Sequence, residues 1–235
     1  MRISIMQPTY IPWAGNFAMM ALSNRYVFLD NVQFDRRSWQ VRNRILLSGS
    51  EHLLTVPVKK IKQETNINDI MINDDTNWRY KHVTTLQSAY KKAPFAQEAL
   101  SSIIDIILNK EIKFLSMLNT KIISYYADIL GLDIEFSFAS KLGVGGNRSQ
   151  RLLEICNYYN ATHYLSPSGS KDYLLKDGNF EMSKITVEFL NFIPKQYPQK
   201  GTNSFVSHLS IIDVIANLGI DGGRAYVSGP RSPNE

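Results

Sequence analysis

The chain has 235 residues, 44% of them hydrophobic, and a formal net charge of +5 at neutral pH. This length is enough for one large domain or two small ones. The single cysteine excludes an internal disulfide and a cysteine-based metal cluster. No apolar run reaches the roughly 20 residues of a membrane span, and the opening segment is unlike a secretory signal, so we expect a cytoplasmic protein. The net positive charge favours anionic binding partners, although a mildly basic protein that binds no anion would have the same charge.

Apolar runs separated by turn-forming residues predict an α/β fold, with a mainly parallel Rossmann-like sheet and an inserted or appended helical block. The predicted strands are 2–7, 25–29, 51–58, a short strand at 69–72, 134–138, 162–165 and 185–190. The predicted helices are one from near Gly15, then 78–91, 95–108, 111–130, 150–159 and 210–218.

Boundary residues refine this outline. Gly131 is a plausible C-cap, Ser210 and Asp213 have the spacing of a capping box, and Gly219 is expected to end the last helix. We expect a single α/β domain over residues 1–227, with the helical block at about 75–130. Residues 228–235 combine proline, serine and charge, which predicts a flexible tail.

The segment after the first predicted strand is the strongest candidate for a ligand loop. It begins at Gln7, places prolines on both sides of Tyr10, and passes Trp13 before the helix start at Gly15. A glycine at a helix start allows an anion to approach the backbone closely. A rigid structural turn is the alternative, but Gln7, Tyr10 and Trp13 are unusual surface residues, so we favour a phosphate- or nucleotide-binding loop.

Polar residues also follow the second predicted strand. Asp30 and Gln33 lie just past its end, where a carboxylate can bind ribose hydroxyls or accept a proton. Capping of a turn is an equally good interpretation of Asp30.

A basic and aromatic cluster comes next, at residues 36–44. Guanidinium groups bind phosphate through two hydrogen bonds, and an indole offers a stacking face. The alternative is a solvated edge strand in which Arg42 and Arg44 point the same way. The binding candidates of this cluster are Arg36, Arg37, Trp39, Asn43 and Arg44.

Two later loops are weaker candidates. Residues 143–149 form a glycine-rich loop before a helix, and Arg148 adds charge, but the spacing matches neither of the common phosphate-loop motifs. After the strand at 162–165, Ser168, Gly169 and Ser170 either form a second polar wall of the same cleft or an ordinary turn.

The four histidines have no ligand spacing, so we predict no metal site, and no cofactor signature is evident. His82, on a predicted helix, and His208, before the Ser210 cap, are the better general-base candidates, together with Asp30. Cys156 shares a helical stripe with apolar residues, which favours a core thiol over a nucleophile.

Several of these segments together resemble the WbqC-like family, and the resemblance covers nearly the whole chain. The motifs that carry it are MQPTYIPW at 6–13, FLDNVQF at 28–34, RRSWQ at 36–40, RNRI at 42–45, LTVPV at 54–58, Tyr90 with Ala93-Pro94-Phe95, Arg148-Ser149 with Ile155-Cys156, YLSP at 164–167 with Gly169-Ser170, and LSIID at 209–213. Asn16 departs from the pattern, because an aromatic residue is common there.

Members of this family tend to be encoded among surface-polysaccharide and O-antigen genes, near the genes of enzymes that make dideoxy-amino sugars. The resemblance therefore implies a role in modifying an amino sugar. We therefore expect a transferase that moves an acyl group to the amino group of a nucleotide-linked amino sugar, with glycyl from aminoacyl-tRNA as one candidate donor. A remoter likeness to nucleotidylyltransferases and class I aminoacyl-tRNA synthetases gives one alternative, although their H-x-G-H signature is absent. A non-catalytic binding or scaffold protein is the other. The sequence leaves the oligomeric state open.

Overall fold

The computed structural model describes residues 1–60 and 64–229. The strands are β1 (Arg2–Met6), β2 (Arg25–Phe28), β3 (Arg42–Leu47), β4 (Ser50–Thr55), β5 (Glu135–Phe138), β6 (His163–Pro167) and β7 (Thr186–Leu190). The helices are α1 (Ala14–Ala21), α2 (Trp78–Tyr90), α3 (Ala96–Leu108), α4 (Leu115–Ile129), α5 (Arg148–Tyr158), α6 (Lys171–Asp177) and α7 (Ile211–Ser228). Short 3-10 turns lie at Ile67–Asp69, Ala139–Lys141 and Ser168–Ser170.

A five-stranded parallel sheet in the order β5-β2-β1-β6-β7 organises the fold. Both faces of this sheet are covered. Ile3, Ile5 and Val27 belong to the core beneath α5, whereas Tyr26 and Phe28 belong to the core on the opposite side, with α1 and the helical block. This alternation follows from the two-residue period of a strand, and it confirms the predicted α/β class with a Rossmann-like parallel sheet.

The order of the strands fixes where a ligand can bind. The chain runs outward from β1 through β2 to β5, and then returns to place β6 on the other side of β1. The direction of winding therefore reverses between β1 and β6. In open parallel sheets, the crevice beyond the carboxyl ends of the two strands at such a reversal is the usual ligand site.

The helical block is inserted between β4 and β5 and consists of α2, α3 and α4. Arg79 anchors it from α2. Its buried guanidinium pairs with Asp74 and donates to the backbone carbonyls of Ile107, Asn109 and Ile112. These carbonyls lie at the end of α3 and in the connection to α4, so one side chain satisfies acceptors that a helix end leaves unpaired.

One local prediction was wrong, and two elements were missing from the predicted outline. Residues 42–47 form β3, which pairs antiparallel with β4 in a hairpin outside the main sheet; an edge strand was the alternative interpretation of this cluster. The short strand predicted at 69–72 is a 3-10 turn followed by single bridges from Ile72 and Met71. Helix α6 was not predicted, because its seven residues are too few for a clear helical period.

The end of the last helix also differs from the expectation. Gly219 has φ 74° and interrupts α7, as predicted, but the helix resumes and continues to Ser228. Arg224 in this second part donates to the carbonyl of Leu130, the residue after α4. Residues 230–235 of the predicted tail lie outside the described residues. In the part of the chain that the structure describes, no helix has the length and apolarity needed to cross a bilayer.

Candidate functional site

A cleft lies at the carboxyl ends of β1 and β6 and consists of two adjoining chambers that share Met6, Thr9 and Trp39. The edge chamber, of about 330 Å³, is bounded by Gln7, Leu29, Leu152, Tyr164, Ser170 and Tyr173. The aromatic chamber, of about 230 Å³, is bounded by Trp13, Asn16, Asn43, Arg44 and His208. Small-molecule sites commonly have volumes of roughly 300–1,000 Å³, so the combined cleft has the size of such a site.

The loop after β1 forms the wall between the sheet and this cleft. Ile11 has φ 35°, and Tyr10 is fully buried, with its N–H bonded to the carbonyl of Trp39 at 3.0 Å. Trp13 packs over the start of α1: a Cβ on Gly15 would lie 2.2 Å from its Cζ2 atom. The space that Gly15 leaves open is therefore occupied by the indole rather than left free for an anion.

Gln7 is held in the cleft by two residues outside the loop. Its Oε1 atom accepts from Nε2 of Gln40 at 2.8 Å. The amide of Asn119, on α4, donates to the carbonyl of Gln40 at 2.7 Å and to that of Pro8 at 3.0 Å. The helical block thus positions the cleft loop through a buried side chain. The sequence did carry a signal for Asn119, since it is a polar residue on the apolar face of an amphipathic helix.

The aromatic chamber contains two pairs of a ring and a basic side chain. The imidazole of His208 lies 4.8 Å from the indole of Trp13, with their planes 30° apart. The guanidinium of Arg44 lies 5.2 Å from the ring centre of Trp39 and is also paired with Glu51 at 3.1 Å. Cation–π contacts of this kind orient an aromatic face. Stacking faces and hydrogen-bonding groups are therefore combined in one chamber.

Tyr164 and Ser170 form the floor of the edge chamber, and the buried Ser166 behind them links their hydroxyl groups. The Oγ atom of Ser166 lies 2.5 Å from that of Ser170 and 3.2 Å from the phenol oxygen of Tyr164. Ser170 donates to the carbonyl of Pro167. Burial raises the pKa of the Tyr164 hydroxyl, so this phenol stays protonated. The floor can hydrogen-bond to polar groups such as sugar hydroxyls without carrying a charge.

The predicted arginines are not inside the chambers, apart from Arg44. Arg36 and Arg37 are exposed, and the guanidinium of Arg42 donates to the carbonyl of Arg37. Arg148 is exposed, has φ 51°, and lies 3.7 Å from Asp177. The guanidiniums of Arg36, Arg37 and Arg42 are thus exposed or half-buried and lie within three residues of Trp39 in the chain. At that position they can contact an anion that extends from the cleft.

A residue that was not predicted, Arg151, joins the glycine-rich loop to the loop that follows β2. Arg151 donates from Nε to the carbonyl of Gly146 at 2.9 Å and from Nη1 to that of Asn31 at 2.6 Å. Its position in the sequence, three residues after Arg148 and on the first turn of α5, could have indicated that it contacts this loop.

The three candidate bases have different surroundings. Asp30 is buried, and its two carboxylate oxygens accept from the N–H and the hydroxyl of Ser140 at 2.9 and 2.7 Å. His82 is buried beside Trp78, with Nδ1 2.9 Å from the hydroxyl of Tyr10, and burial lowers its pKa to about 4. His208 is exposed and lines the aromatic chamber. Of the three, His208 is the one at the cleft wall.

Two further predicted residues lie away from the cleft walls. Gln33 is exposed and forms a bridge with Asn66. Tyr90 is buried at the end of α2; burial raises the pKa of its hydroxyl, and the nearby carboxylate of Asp213 raises it further. Asp213 is itself buried, which raises its pKa, while Tyr197 and Gln199 both donate to its Oδ2 atom at 2.7 Å. Ser210 caps α7, since its hydroxyl accepts from the N–H of Ile212, but the N–H of Asp213 donates to the Ser210 carbonyl rather than to the hydroxyl that a capping box requires.

The structure therefore sorts the predicted residues into two groups. Those at the cleft wall are Gln7, Trp13, Trp39, Asn43, Arg44, Gly169, Ser170 and His208. Those elsewhere are Tyr10, Asp30, Gln33, Arg36, Arg37, His82, Tyr90, Arg148 and Ser168. Cleft residues that were not predicted are Ile5, Met6, Thr9, Asn16, Leu29, Ser38, Gln40, Leu152, Tyr164, Pro167 and Tyr173. Thr9 lay inside the segment singled out after the first strand, and Asn16 directly follows that segment.

Comparison with known proteins adds one family. A sequence model of the WbqC-like protein family matches residues 7–225. The chain is also 26% identical over 221 residues to "Uncharacterized protein Rv1507c" of Mycobacterium tuberculosis (strain ATCC 25618 / H37Rv), with 94% of this chain and 95% of that relative covered. No solved structure matches the chain significantly. The family match includes both Gln7 and His208, so it spans the cleft.

Proposed function

The chain belongs to the WbqC-like protein family, and on that premise we propose that it transfers an acyl group to the amino group of a nucleotide-linked deoxyamino sugar. The acyl group is glycyl and its donor an aminoacyl-tRNA, and the product enters bacterial surface-polysaccharide (O-antigen) biosynthesis. The net charge of +5 suits a reaction in which both substrates are anionic.

The observation that carries this proposal is the two-chamber cleft at the winding reversal between β1 and β6. One chamber has a floor of uncharged hydroxyls, and the other has one indole face beside an imidazole and one beside a guanidinium. A nucleotide-linked sugar has the same division into a polyhydroxylated ring and a flat base joined by phosphates. Exposed Arg37 and half-buried Arg42 flank Trp39 in the chain and supply positive charge for the phosphates.

The chemistry requires proton transfers and one acyl transfer. A base removes one proton from the sugar ammonium, and the neutral amine attacks the ester carbonyl of the donor. The tetrahedral intermediate loses the second proton from its nitrogen, the ester C–O bond breaks as the carbonyl re-forms, and the leaving ribose oxygen takes up a proton to become a hydroxyl. The products are an amide and the deacylated donor.

Two cleft residues have the chemistry for these steps. His208 is exposed to the cleft and serves as the base; its Nδ1 atom is 2.8 Å from the hydroxyl of Ser207, which leaves Nε2 for the substrate. Gln7 uses its Oε1 atom to accept from Gln40, so its amide nitrogen is the atom that donates to the oxyanion.

The direct test measures transfer of radiolabelled glycine from glycyl-tRNA to a panel of nucleotide-linked deoxyamino sugars. We expect His208→Ala to lower kcat/KM by roughly 10²–10⁴-fold, the usual contribution of a general base. His163→Ala is the matched control, because His163 is also solvent-accessible but starts β6 at the opposite end of the sheet. Unchanged activity of His208→Ala would remove this residue from the mechanism.

Two other results would favour a different function. Magnesium-dependent release of pyrophosphate from a nucleoside triphosphate would indicate nucleotidyl transfer in place of acyl transfer. Binding of the sugar nucleotides without turnover of any donor would indicate a binding or scaffold protein.

A further inference from the structure

The aromatic chamber contains two of the three tryptophans of the chain, and they differ from the third. Trp78 is 4% exposed, and its indole N–H donates to Asp74 at 2.8 Å. Trp39 is 46% exposed, although it is among the largest apolar side chains. Trp13 is half-buried at the chamber wall. A large indole face left at the wall of a chamber is a surface on which a flat ligand can bury apolar area.

Both indoles are already oriented for stacking. His208 lies against Trp13, and Arg44 lies over Trp39, where its pair with Glu51 holds the guanidinium in place. The chamber wall also has the Thr9 hydroxyl and the Asn16 amide, whose Nδ2 atom is 3.4 Å from Oγ1 of Thr9. Planar faces together with hydrogen-bonding groups at their edges match a nucleobase, which has a π face and polar edge atoms.

We propose that the aromatic chamber binds a nucleobase, stacked on Trp39 and facing Trp13. The inference rests on the proposed function, because it divides the cleft between the parts of a nucleotide-linked substrate. The two chambers share Met6, Thr9 and Trp39, so a group attached to the base through phosphates continues into the edge chamber. The sugar then meets Ser170 of the edge chamber, and its amino group faces the junction with the aromatic chamber, whose wall contains His208.

Two substrates of the proposed reaction carry a nucleobase, and both fit this chemistry. One is the sugar nucleotide, and the other is the terminal adenosine of a tRNA donor. The experiment therefore uses nucleoside diphosphates (UDP, dTDP, CDP, GDP and ADP) in one arm and the trinucleotide CCA in the other, with inorganic pyrophosphate as the ligand that has no base.

The measurement is tryptophan fluorescence during titration of the full chain. Stacking of a base on Trp39 or Trp13 quenches emission, while Trp78, buried in the helical block, provides a constant background. We expect saturable quenching by at least one nucleoside diphosphate or by CCA, and none by pyrophosphate. Trp39→Ala should raise the dissociation constant about tenfold or more, since an aromatic stacking platform has an effect of this order.

Two control variants separate stacking from structure. Trp39→Phe retains an aromatic face and should restore much of the affinity, which a merely structural role of the side chain does not predict. Tyr80→Ala removes an aromatic side chain that is 57% exposed on α2, away from the cleft, and should bind like the wild type. Quenching by neither arm, or equal affinity of Trp39→Ala and wild type, would overturn the inference.

The outcomes also separate this inference from the proposed function. Nucleotide binding that depends on Trp39 but no acyl transfer would support the nucleobase site and refute the transferase. Acyl transfer that is insensitive to Trp39→Ala would support the transferase and refute the nucleobase site. Binding of a nucleoside diphosphate would show that the sugar nucleotide places its nucleobase in this chamber, and binding of CCA would assign the chamber to the tRNA donor.

Discussion

The helical block and the region of the cleft both contain arginine and tryptophan, but these side chains are buried and hydrogen-bonded in the block and exposed near the cleft. In the block, the guanidinium of Arg79 is buried and bonded to one carboxylate and three backbone carbonyls, and Trp78 is buried beside it. At the cleft, Trp39 is exposed, and so is Arg37, which precedes it by two residues and lies outside the cleft wall. Residue type therefore does not distinguish a structural role from a binding role; the number of partners that the fold provides does.

The histidines show the same contrast. His82 packs between Tyr10 and Trp78, where burial disfavours the charged form and lowers its pKa to about 4. His208 lies at the chamber wall and is exposed. A base that works on a bound substrate must reach that substrate, so the geometry favours His208 although both residues were equal candidates in the sequence.

The largest effect is expected when the anchor of the helical block is removed. Arg79→Ala leaves three carbonyls without their donor and Asp74 with the indole N–H of Trp78 in place of the guanidinium, and breaking a buried pair of this kind costs about 3–5 kcal/mol. Urea unfolding followed by circular dichroism measures this loss. Arg36→Ala, at an exposed guanidinium with one 3.5 Å contact to the carbonyl of Lys59, should stay close to the wild type. Equal losses for the two variants would refute the contrast between block and cleft.

The second effect concerns the pH dependence of stability. The pKa of His82 falls from 6.5 in the unfolded chain to about 4 in the native state, so the unfolded state takes up the proton first as the pH falls. Stability is therefore fully present above pH 6.5 and decreases toward pH 4, by roughly 3 kcal/mol from this residue alone. His82→Gln should show a flatter curve over this window. Parallel curves for the two proteins would mean that His82 is not held neutral.

A smaller effect is expected at the link between block and cleft. Asn119→Leu keeps the side-chain volume but leaves the carbonyls of Pro8 and Gln40 without their donor, which costs about 2 kcal/mol. Nucleotide affinity should fall as well, because Gln40 no longer fixes Gln7. Denaturant unfolding and fluorescence titration measure the two losses. Asn157→Ala, at an exposed position on α5, is the control. Unchanged nucleotide affinity of Asn119→Leu would show that the helical block does not position the cleft loop for binding.

The smallest effect on stability is expected at the cleft itself. Trp39→Ala should change the free energy of unfolding by less than about 1 kcal/mol, because nearly half of the side chain is exposed. Trp78→Ala, in contrast, should cost about 3–5 kcal/mol, since it removes a buried indole. Calorimetry on both variants measures the difference. A large loss for Trp39→Ala would show that this indole supports the fold.

Much of the architecture was predictable from local patterns. The five parallel strands are short segments bounded by turn-forming residues, and the helices of the block are long segments with apolar residues every three or four positions. Their boundaries were predicted within a few residues, except that α4 begins at Leu115 rather than at 111. The hairpin strand β3 was interpreted as a binding cluster because its alternating Arg42 and Arg44 resemble a ligand site as much as an exposed strand face. The turn at Ile67–Asp69 and helix α6 are too short to show a period.

For the site, the sequence determined which segments matter, and the tertiary structure decided which side chains reach the cleft. The segment after β1 and the cluster around Trp39 were identifiable because polar and aromatic residues at strand ends have a local signature. Whether Tyr10 and His82 face a ligand or each other depends on helix α2, which is more than sixty positions away from Tyr10 in the chain. The role of Asn119 depends on a contact between α4 and the loop at Pro8. Such long-range contacts have no pattern in the sequence, because the free energy of burial depends on what packs opposite a residue and not on its neighbours along the chain.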